Sequence, residues 1–267
     1  MLSKVQRERL RVVLVSPRNP LNIGAAARAM ANFGLGDLAV VAPYQPHWRE
    51  AQSAIGANEL LQSARLSTTL AEAVAEHTLV LGTGTLDRRK PEQPVVPLPE
   101  LAPLVQQEIA RGGRVAVIFG PEKRGLSRED LAYCHLLVQI PTDPHQPSMN
   151  LGQAVAVCLY ELASRLPGRT SEAGRRPDEP APDPSRLAAS SGSLERLAEV
   201  AEKVMRAANY SPAEMQEANR HDLRLLLRRL ALTERDTRRI LGLFRRILWR
   251  LEHGAGARNR NDTPQDK

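Results

Sequence analysis

Short apolar runs of strand length recur along the first 140 residues, and most are followed by a segment whose apolar residues lie three and four positions apart. The runs predicted to be strands are Arg11–Ser16, Leu38–Pro43, Thr78–Thr83, Arg114–Gly120 and His135–Ile140. Continuous Val, Ile and Leu runs separated by helices are typical of parallel strands that are buried on both faces. The pattern therefore predicts an α/β fold with a parallel sheet, whose ligands bind at the carboxyl ends of the strands.

The segments between these strands are predicted to be helices. One predicted helix begins at Asn22, and three others extend over Trp48–Ala54, Leu98–Ala110 and Ser127–Ala132. A further helix follows the last strand, where Pro141, Pro144 and Pro147 fix the backbone of a polar loop. Ser148 or Asn150 can cap that helix, which would leave its first N–H groups facing the loop.

The composition changes after residue 165, which marks the end of the predicted α/β domain, residues 1–165. Residues 166–192 are rich in Pro, Gly, Ser and charge with little to bury, which indicates a flexible linker. Residues 193–253 return to helical periodicity and predict a small all-helical C-terminal domain. Ser211–Glu214 and Thr233–Asp236 have the form of capping boxes in it. Residues 254–267 are predicted to be a disordered tail.

The charge balance indicates an anionic partner, because 37 Lys and Arg oppose 30 Asp and Glu, for a net charge of +7. No apolar run is long enough to cross a bilayer, so nucleic acid is favoured over a membrane. Aromatic residues make up only 3% of the chain, which argues against base stacking as the main means of recognition. Two apolar-flanked cysteines and an N-terminus without a secretory signal lead us to expect a cytoplasmic protein.

Two common nucleotide-binding motifs and a metal site are disfavoured by residue spacing. Gly82–Gly84 lacks the third glycine of a dinucleotide-binding loop, since Asp87 stands in its place. Gly120–Ser127 has two glycines five apart but lacks the lysine of a P-loop. The six histidines are scattered, and no pair has the spacing of metal ligands on one helix, so no metal is predicted.

Three segments resemble the signature motifs of one enzyme family. They are Asn22–Gly34 (NIGAAARAMANFG), Ile118–Ser127 (IFGPEKRGLS) and Ser148–Ala156 (SMNLGQAVA). In this order they resemble the SPOUT-class RNA 2′-O-ribose methyltransferases, and the helical C-terminal domain makes the TrmJ-type tRNA methyltransferases the nearest group. The resemblance implies a SPOUT-type parallel sheet with a C-terminal trefoil knot, S-adenosylmethionine as methyl donor, and a homodimer.

The resemblance also implies a substrate, the ribose 2′-hydroxyl of tRNA, and we expect nucleotide 32 in the anticodon loop. Two alternatives stay open. One is methylation of ribosomal RNA or of another tRNA site, and the other is an RNA-binding protein that keeps the fold without turnover. Methyl transfer from a sulfonium to a hydroxyl requires positioning and the handling of one proton, but no metal.

The motif matches assign candidate roles residue by residue. The candidate catalytic residues are Asn22, Arg28, Glu122, Ser148 and Asn150. The residues expected to bind the cofactor are Thr83, Gly84, Thr85, Gly120, Ile140, Pro147, Ser148 and Met149. Arg28 is expected to act in the active site of the opposite subunit. The residues expected to contact RNA, Arg124 in the second motif and four arginines of the helical domain, are Arg124, Arg224, Arg228, Arg239 and Arg246.

Each of these assignments has a purely structural alternative. Arg28 could be an exposed helix arginine, Asn22 an N-cap, and Glu122 the ion-pair partner of Lys123 or Arg124. A Gly-Thr-Gly sequence is by itself an ordinary turn after a strand. An arginine-rich helix face is most often simply solvated, although it is also suited to phosphate contacts.

Overall fold

The computed structural model describes residues 2–84, 91–166 and 187–254 of the chain. Three sets of sequence-based predictions lie outside the described residues. They are the cofactor contact of Thr85, most of the predicted linker, and residues 255–267 of the predicted tail.

Within the described residues, seven parallel strands form one sheet in the order β3-β2-β1-β6-β4-β7-β5. The strands are β1 (Leu10–Val15), β2 (Leu38–Val41), β3 (Arg65–Ser67), β4 (Leu79–Thr83), β5 (Val95–Pro97), β6 (Val115–Phe119) and β7 (Leu136–Gln139). The predicted parallel α/β fold is confirmed, and the trefoil knot stays a prediction.

The helices of the described residues fall into two groups along the chain. The helices before residue 167 are α1 (Lys4–Arg9), α2 (Pro20–Asn32), α3 (Asn58–Ser63), α4 (Leu70–Val74), α5 (Leu101–Ala110), α6 (Arg128–Leu131) and α7 (Leu151–Arg165). The helices after residue 186 are α8 (Ser191–Ala207), α9 (Gln216–Arg229) and α10 (Glu234–Gly254). Of these helices, none combines the length and apolar character needed to cross a membrane.

The sheet is covered on both faces, which explains why its central strands are predominantly apolar. Successive residues of a strand point to opposite faces. Val12 and Leu14 of β1 belong to the cluster packed under α2, α5 and α7, whereas Val13 and Val15 belong to the cluster under α4 and α6. Both faces of β1 are therefore buried, and only the strand ends are left for polar chemistry.

The largest error of the sequence-based prediction concerns the helix Trp48–Ala54. The structure has a 3₁₀ turn over Trp48–Glu50 there, and α3 begins only at Asn58. Trp48 is 1% exposed and anchors this turn in the core, so tertiary burial overrides local periodicity. Strands β3 and β5 were not predicted, because three residues are too few to give a readable pattern.

Residues 187–254 are called the helical unit below, and its first helix begins earlier than the predicted boundary at residue 193. Ala188 forms a β-bridge with Thr233, and the Ser190 hydroxyl accepts a hydrogen bond from the N–H of Ser193, so α8 begins at Ser191. The capping box predicted at Ser211 is wrong. Its hydroxyl instead accepts a bond from the side chain of Asn219, and a 3₁₀ turn precedes α9. The predicted cap at Thr233 is confirmed by its 3.1 Å bond from the N–H of Asp236.

The helical unit docks on the preceding residues, called the α/β unit below, through α8 and α9. The N–H of Ser191 donates to the carbonyl of His77 at 2.8 Å, and that of Gly192 donates to the carbonyl of Ala75 at 2.9 Å. The ring of Tyr133, after α6, lies under the guanidinium groups of Arg224 and Arg228. Tyr133 lies just before β7, so the α/β unit makes this contact with a residue that precedes the strand.

Candidate active site

A cavity of about 720 Å³ opens at the carboxyl ends of β6, β4 and β7, which are adjacent in the sheet. The loops after these strands line it, and they contain the second and third motifs. The lining includes the predicted cofactor residues Thr83, Gly84, Gly120, Ile140, Pro147, Ser148 and Met149. The structure thus brings together every predicted cofactor residue that it describes.

The loops around the cavity are shaped by close backbone contacts. A Cβ at Gly120 would lie 2.2 Å from the N atom of Leu126, so the loop between them closes only on a glycine. In the third loop the Thr142 hydroxyl donates a hydrogen bond to the backbone carbonyl of Pro147 at 3.2 Å, which holds the two ends of that loop together. The Thr83 hydroxyl donates to the carbonyl of Ile118 at 2.9 Å. That proton is committed to the sheet, so Thr83 offers a ligand only acceptor and backbone groups.

One hydrogen-bond chain connects all three motifs. The side-chain N–H of Asn22, in the first motif, donates to Glu122 of the second at 2.8 Å. The side-chain N–H of Asn150, in the third, donates to the side-chain oxygen Oδ1 of Asn22 at 2.9 Å. The other end of the Asn150 amide accepts bonds from the N–H groups of Gly152 and Gln153 and caps α7. We call Glu122, Asn22 and Asn150 the motif network.

Glu122 is fixed by the loop after β1 as well. Its carboxylate accepts hydrogen bonds from the backbone N–H of Arg18 at 3.0 Å and of Asn19 at 3.1 Å. Partial burial on its own would raise the pKa of this carboxyl, but the bond from Asn22 and those from backbone N–H groups together outweigh burial and lower the pKa. Glu122 is therefore an ionised acceptor that holds the loops. It is poorly suited to take a proton from a substrate.

The alternatives for the two asparagines are resolved by the caps that the structure shows. Asn19, and not Asn22, caps α2 by accepting a bond from Leu21 at 3.0 Å. Asn150 caps α7, which leaves Ser148 exposed at the cavity wall. A Cβ at Gly152 would lie 2.7 Å from the Cβ of Ala25, so a glycine and an alanine allow the close approach of α7 to α2.

Arg28 lies apart from the cavity of its own chain. It is exposed on α2 and is absent from the cavity wall. Within the described ranges it has no hydrogen bond or ion pair. Taken alone, this position also fits the alternative of an ordinary exposed helix arginine.

The arginines predicted to contact RNA occupy different environments. Arg228 is buried and pairs with Glu195 at 3.0 Å, so its assignment as an RNA contact is wrong for this conformation. Arg224 pairs with the same carboxylate at 3.0 Å and stacks on Tyr133. Arg239 and Arg246 are exposed on α10, and Arg124 lies on the cavity wall. Burial therefore separates arginines that hold the helical unit from arginines that face solvent.

Sequence reasoning did not find the backbone donors of Arg18 and Asn19, or the cavity residues Thr142, Pro144 and His145. The prolines that bracket these loops are the only signal of a fixed backbone in the sequence. Cys134 and Cys158 are buried, and burial raises the pKa of both thiols, so they are neutral core side chains. Among the residues that the structure describes, no three His, Cys, Asp or Glu side chains are grouped as metal ligands.

Comparison with known proteins matches this region to one family. The profile described as SpoU rRNA Methylase family matches residues 9–160, which include all three motifs. The chain is similar to the tRNA (cytidine/uridine/adenosine-2′-O-)-methyltransferase TrmJ of Pseudomonas aeruginosa, with 44% identity over 156 residues. That match covers 58% of this chain and 60% of the relative, so the chain spans less than two thirds of that relative's length.

Two further similarities extend beyond the α/β unit. The tRNA (cytidine/uridine-2′-O-)-methyltransferase TrmJ of Yersinia pestis is 31% identical over 249 residues, which are 91% of each chain. The crystal structure of TrmJ from Z. mobilis ZM4 superposes with a TM-score of 0.73 and 30% identity, and covers 89% of this chain and 98% of that one. Both similarities therefore include the helical unit.

Proposed function

This chain belongs to the SpoU methylase family, and on that premise we propose that it transfers the methyl group of S-adenosylmethionine to a ribose 2′-hydroxyl of tRNA. The motif network carries the proposal. Three motifs that are separate in the sequence are bonded to one another, and Glu122 of this network lines the cavity together with loops of the second and third motifs. Such a constellation at the carboxyl ends of parallel strands is suited to hold two ligands in fixed relative positions.

The cavity fits the proposed methyl donor in size and in chemistry. Its volume, about 720 Å³, lies in the range that encloses small-molecule cofactors. A Cβ at Gly84 would meet nothing within 4 Å, so the backbone there is open to a ligand. Gly84, Gly120, Ile140 and Met149 would hold the cofactor, mainly through backbone groups. Bound there, S-adenosylmethionine would supply an electrophilic methyl group on a sulfonium.

The residues of this chain would position the acceptor ribose. The motif network fixes the loops, and Ser148 presents an exposed hydroxyl at the cavity wall. Lys123 and Arg124 line the same cavity and would attract the phosphates of the target nucleotide. As the methyl group leaves the sulfonium, which becomes a neutral thioether, the hydroxyl would release its proton to water. Arg28 would steady the alkoxide that develops, because a guanidinium stays protonated and makes a poor base.

We propose that Arg28 performs this role in the cavity of a second copy of the chain. Arg28 is exposed and lies outside its own cavity. The neighbouring surface of α2 and α7 exposes Leu21, Val157 and Tyr160, an apolar face suited to a homodimer interface. An active site completed across this interface would explain why an alanine-rich helix carries one unpaired arginine.

Two heterodimers distinguish an Arg28 that acts in the partner's site from an Arg28 that acts in its own site. Gly84→Trp fills the cavity where a side chain meets nothing in the protein, whereas Gly120→Trp would clash with backbone. Copies with different affinity tags are co-expressed, and the heterodimers are isolated. Arg28→Ala paired with Gly84→Trp should retain about half of wild-type activity, since one complete site remains. The double variant paired with wild type should be inactive. The reverse result places Arg28 in its own site.

The substrate proposal is tested by transfer of labelled methyl groups to total tRNA and by mapping of the methylated nucleotide. We expect an alkali-resistant 2′-O-methyl linkage at nucleotide 32 of the anticodon loop. A label at another tRNA position or in ribosomal RNA would contradict nucleotide 32 as the substrate but would support 2′-O-methylation as the reaction. Tight RNA binding without transfer would favour a non-catalytic RNA-binding protein.

A further inference from the structure

An exposed aromatic ring lies beside the motif network, on a surface to which neither the motifs nor the cavity assigns a role. Tyr44, in the loop after β2, is 65% exposed, although aromatic residues are only 3% of the chain. The guanidinium of Arg18, in the loop after β1, stacks on this ring with its central carbon 4.9 Å from the ring centre. Among the residues described, this guanidinium has no ion pair and no hydrogen bond.

The backbone holds the two loops together. Ser16 and Ala42, directly after β1 and β2, have φ angles of 45° and 42°, a left-handed conformation that is unfavourable for residues other than glycine. Each extends the sheet by one hydrogen bond, from Ser16 to the carbonyl of Val41 and from Ala42 to that of Ser67. The N–H of Tyr44 then donates to the carbonyl of Pro17 at 3.1 Å. The loop that carries the ring of Tyr44 is therefore held in place by backbone hydrogen bonds.

The pair is directly connected to the cavity. The backbone N–H of Arg18 donates to Glu122, which lines the cavity and binds Asn22. The stacked pair therefore lies one hydrogen bond away from the group that ties the three motifs together. A nucleic acid whose target ribose enters the cavity would pass close to it.

We propose that Arg18 and Tyr44 form a stacking platform for the nucleobase next to the methylated nucleotide. The inference rests on the proposed function, because it requires an RNA substrate. A ribose that enters a cavity must leave the helical stack, and its neighbour then loses a stacking partner. An aromatic ring backed by a guanidinium replaces that partner for any base, and the free N–H groups of Arg18 can bind the adjoining phosphate.

Fluorescence of a modified RNA tests the platform without any need for turnover. The probe is an anticodon stem-loop hairpin in which 2-aminopurine replaces one loop base at a time, mixed with the full-length protein. We expect one position to be quenched by stacking on the wild-type protein. In Tyr44→Ala that quenching should disappear, and the Kd of the hairpin should rise about tenfold. Tyr44→Phe, which keeps the ring, should behave as wild type.

The matched control is Tyr210→Ala, which removes another strongly exposed tyrosine that lies in the helical unit. It should leave the quenching unchanged. The platform is refuted if no loop position is quenched, or if Tyr44→Ala binds the hairpin as wild type does. It is also refuted if Tyr44→Ala weakens self-association and leaves RNA binding intact, because a second copy would then cover the ring.

Kinetics separate this inference from the proposed function. Tyr44→Ala should raise the KM for tRNA about tenfold and leave the Kd of S-adenosylmethionine unchanged. If wild type methylates tRNA and Tyr44→Ala equals it, the platform fails and the function stands. If the hairpin is quenched through Tyr44 but no methyl group is transferred, the proposed function fails, and what stands is a stacking site for a base of the RNA loop.

Discussion

In the α/β unit Glu122, a carboxylate on the cavity wall, is held by backbone N–H groups and an amide. In the helical unit the buried charges of Arg228 and Glu202 are held by charged side chains. Arg228 pairs with Glu195, and Arg220 makes two bonds to Glu202. A side-chain substitution does not remove a backbone donor, although it can shift the loop that carries the donor. Ion pairs between helices hold only as long as both partners remain.

Arginine therefore serves different purposes in the two units. Some arginines of the helical unit are structural, and others, on α10, are exposed to solvent. In the α/β unit Arg18 contributes its backbone N–H to the motif network and presents its guanidinium to solvent over Tyr44. The following predictions test this contrast, from the largest expected effect to the smallest.

The largest effect is expected for Glu122→Gln, which tests the backbone-held network. Glutamine keeps one acceptor oxygen and adds an N–H group, so it cannot accept from Arg18, Asn19 and Asn22 as the carboxylate does. The loops should shift, and kcat should fall about 100-fold or more. Glu129→Gln, an exposed residue on α6, is the control and should be near wild type. Equal kcat values for the two variants would contradict a positioning role for Glu122.

Arg228→Ala should remove the buried ion pair to Glu195 and leave the other pairs of the helical unit, Arg224–Glu195 and Arg220–Glu202, in place. It leaves Glu195, whose side chain is 13% exposed, without its buried partner, and should lower the free energy of unfolding by about 3 kcal/mol. Arg239→Ala, on the exposed face, should leave stability unchanged but weaken tRNA binding and reduce its salt dependence by about one counterion. Thermal melting and salt-dependent binding of both variants measure the contrast. Similar melting of the two variants would contradict it.

His77, which lies where the two units meet, should make stability depend on pH. Burial, and then the charges of Arg11 and Arg114, lower the pKa of His77 to about 3 from an ordinary value near 6.5. Between these values the unfolded chain takes up a proton that the folded chain refuses. The free energy of unfolding should therefore fall as the pH drops from 6.5 towards 3, by up to about 1.4 kcal/mol per pH unit from this residue.

The test is urea unfolding of His77→Gln at several pH values. Its free energy of unfolding should vary less with pH than that of wild type, and some variation should remain, since burial also lowers the pKa of His135 to about 3. His47→Gln, at a strongly exposed site, is the control and should follow wild type. Identical slopes for the two variants would show that His77 titrates equally in both states.

The smallest effect is expected at Tyr133, where the units touch through stacking. Tyr133→Ala removes the ring under Arg224 and Arg228 and should lower stability by about 1–2 kcal/mol. Tyr133→Phe keeps the ring and should melt as wild type does. Hydrogen exchange of α8 should rise in the alanine variant alone. Unchanged exchange would mean that the contacts of Ser191 and Gly192 suffice for docking.

The parallel strands and several helix caps could be predicted from the sequence alone, and the three motifs were predicted from their resemblance to a known family. These features depend on neighbours within a few residues. A strand buried on both faces is predominantly apolar, as β6 is throughout and as β1 is apart from Arg11, which pairs with Asp37. The caps at Ser127 and Thr233 need only the residue three positions on. Where a short element has too few residues for a pattern, as in β3, the prediction failed.

Which polar and charged side chains are hydrogen-bonded or ion-paired, and which face solvent, depends on the tertiary structure. Glu122 takes its partners from residues about 100 positions earlier in the chain, and Asn150 takes Asn22 from 128 positions away. Spacing along the chain carries no information about such pairs, because their distance is set by how strands align in the sheet. The same holds for Arg228 and Arg239. Both lie on arginine-rich helices, and only the packing of α8 against α9 buries the first and leaves the second in solvent.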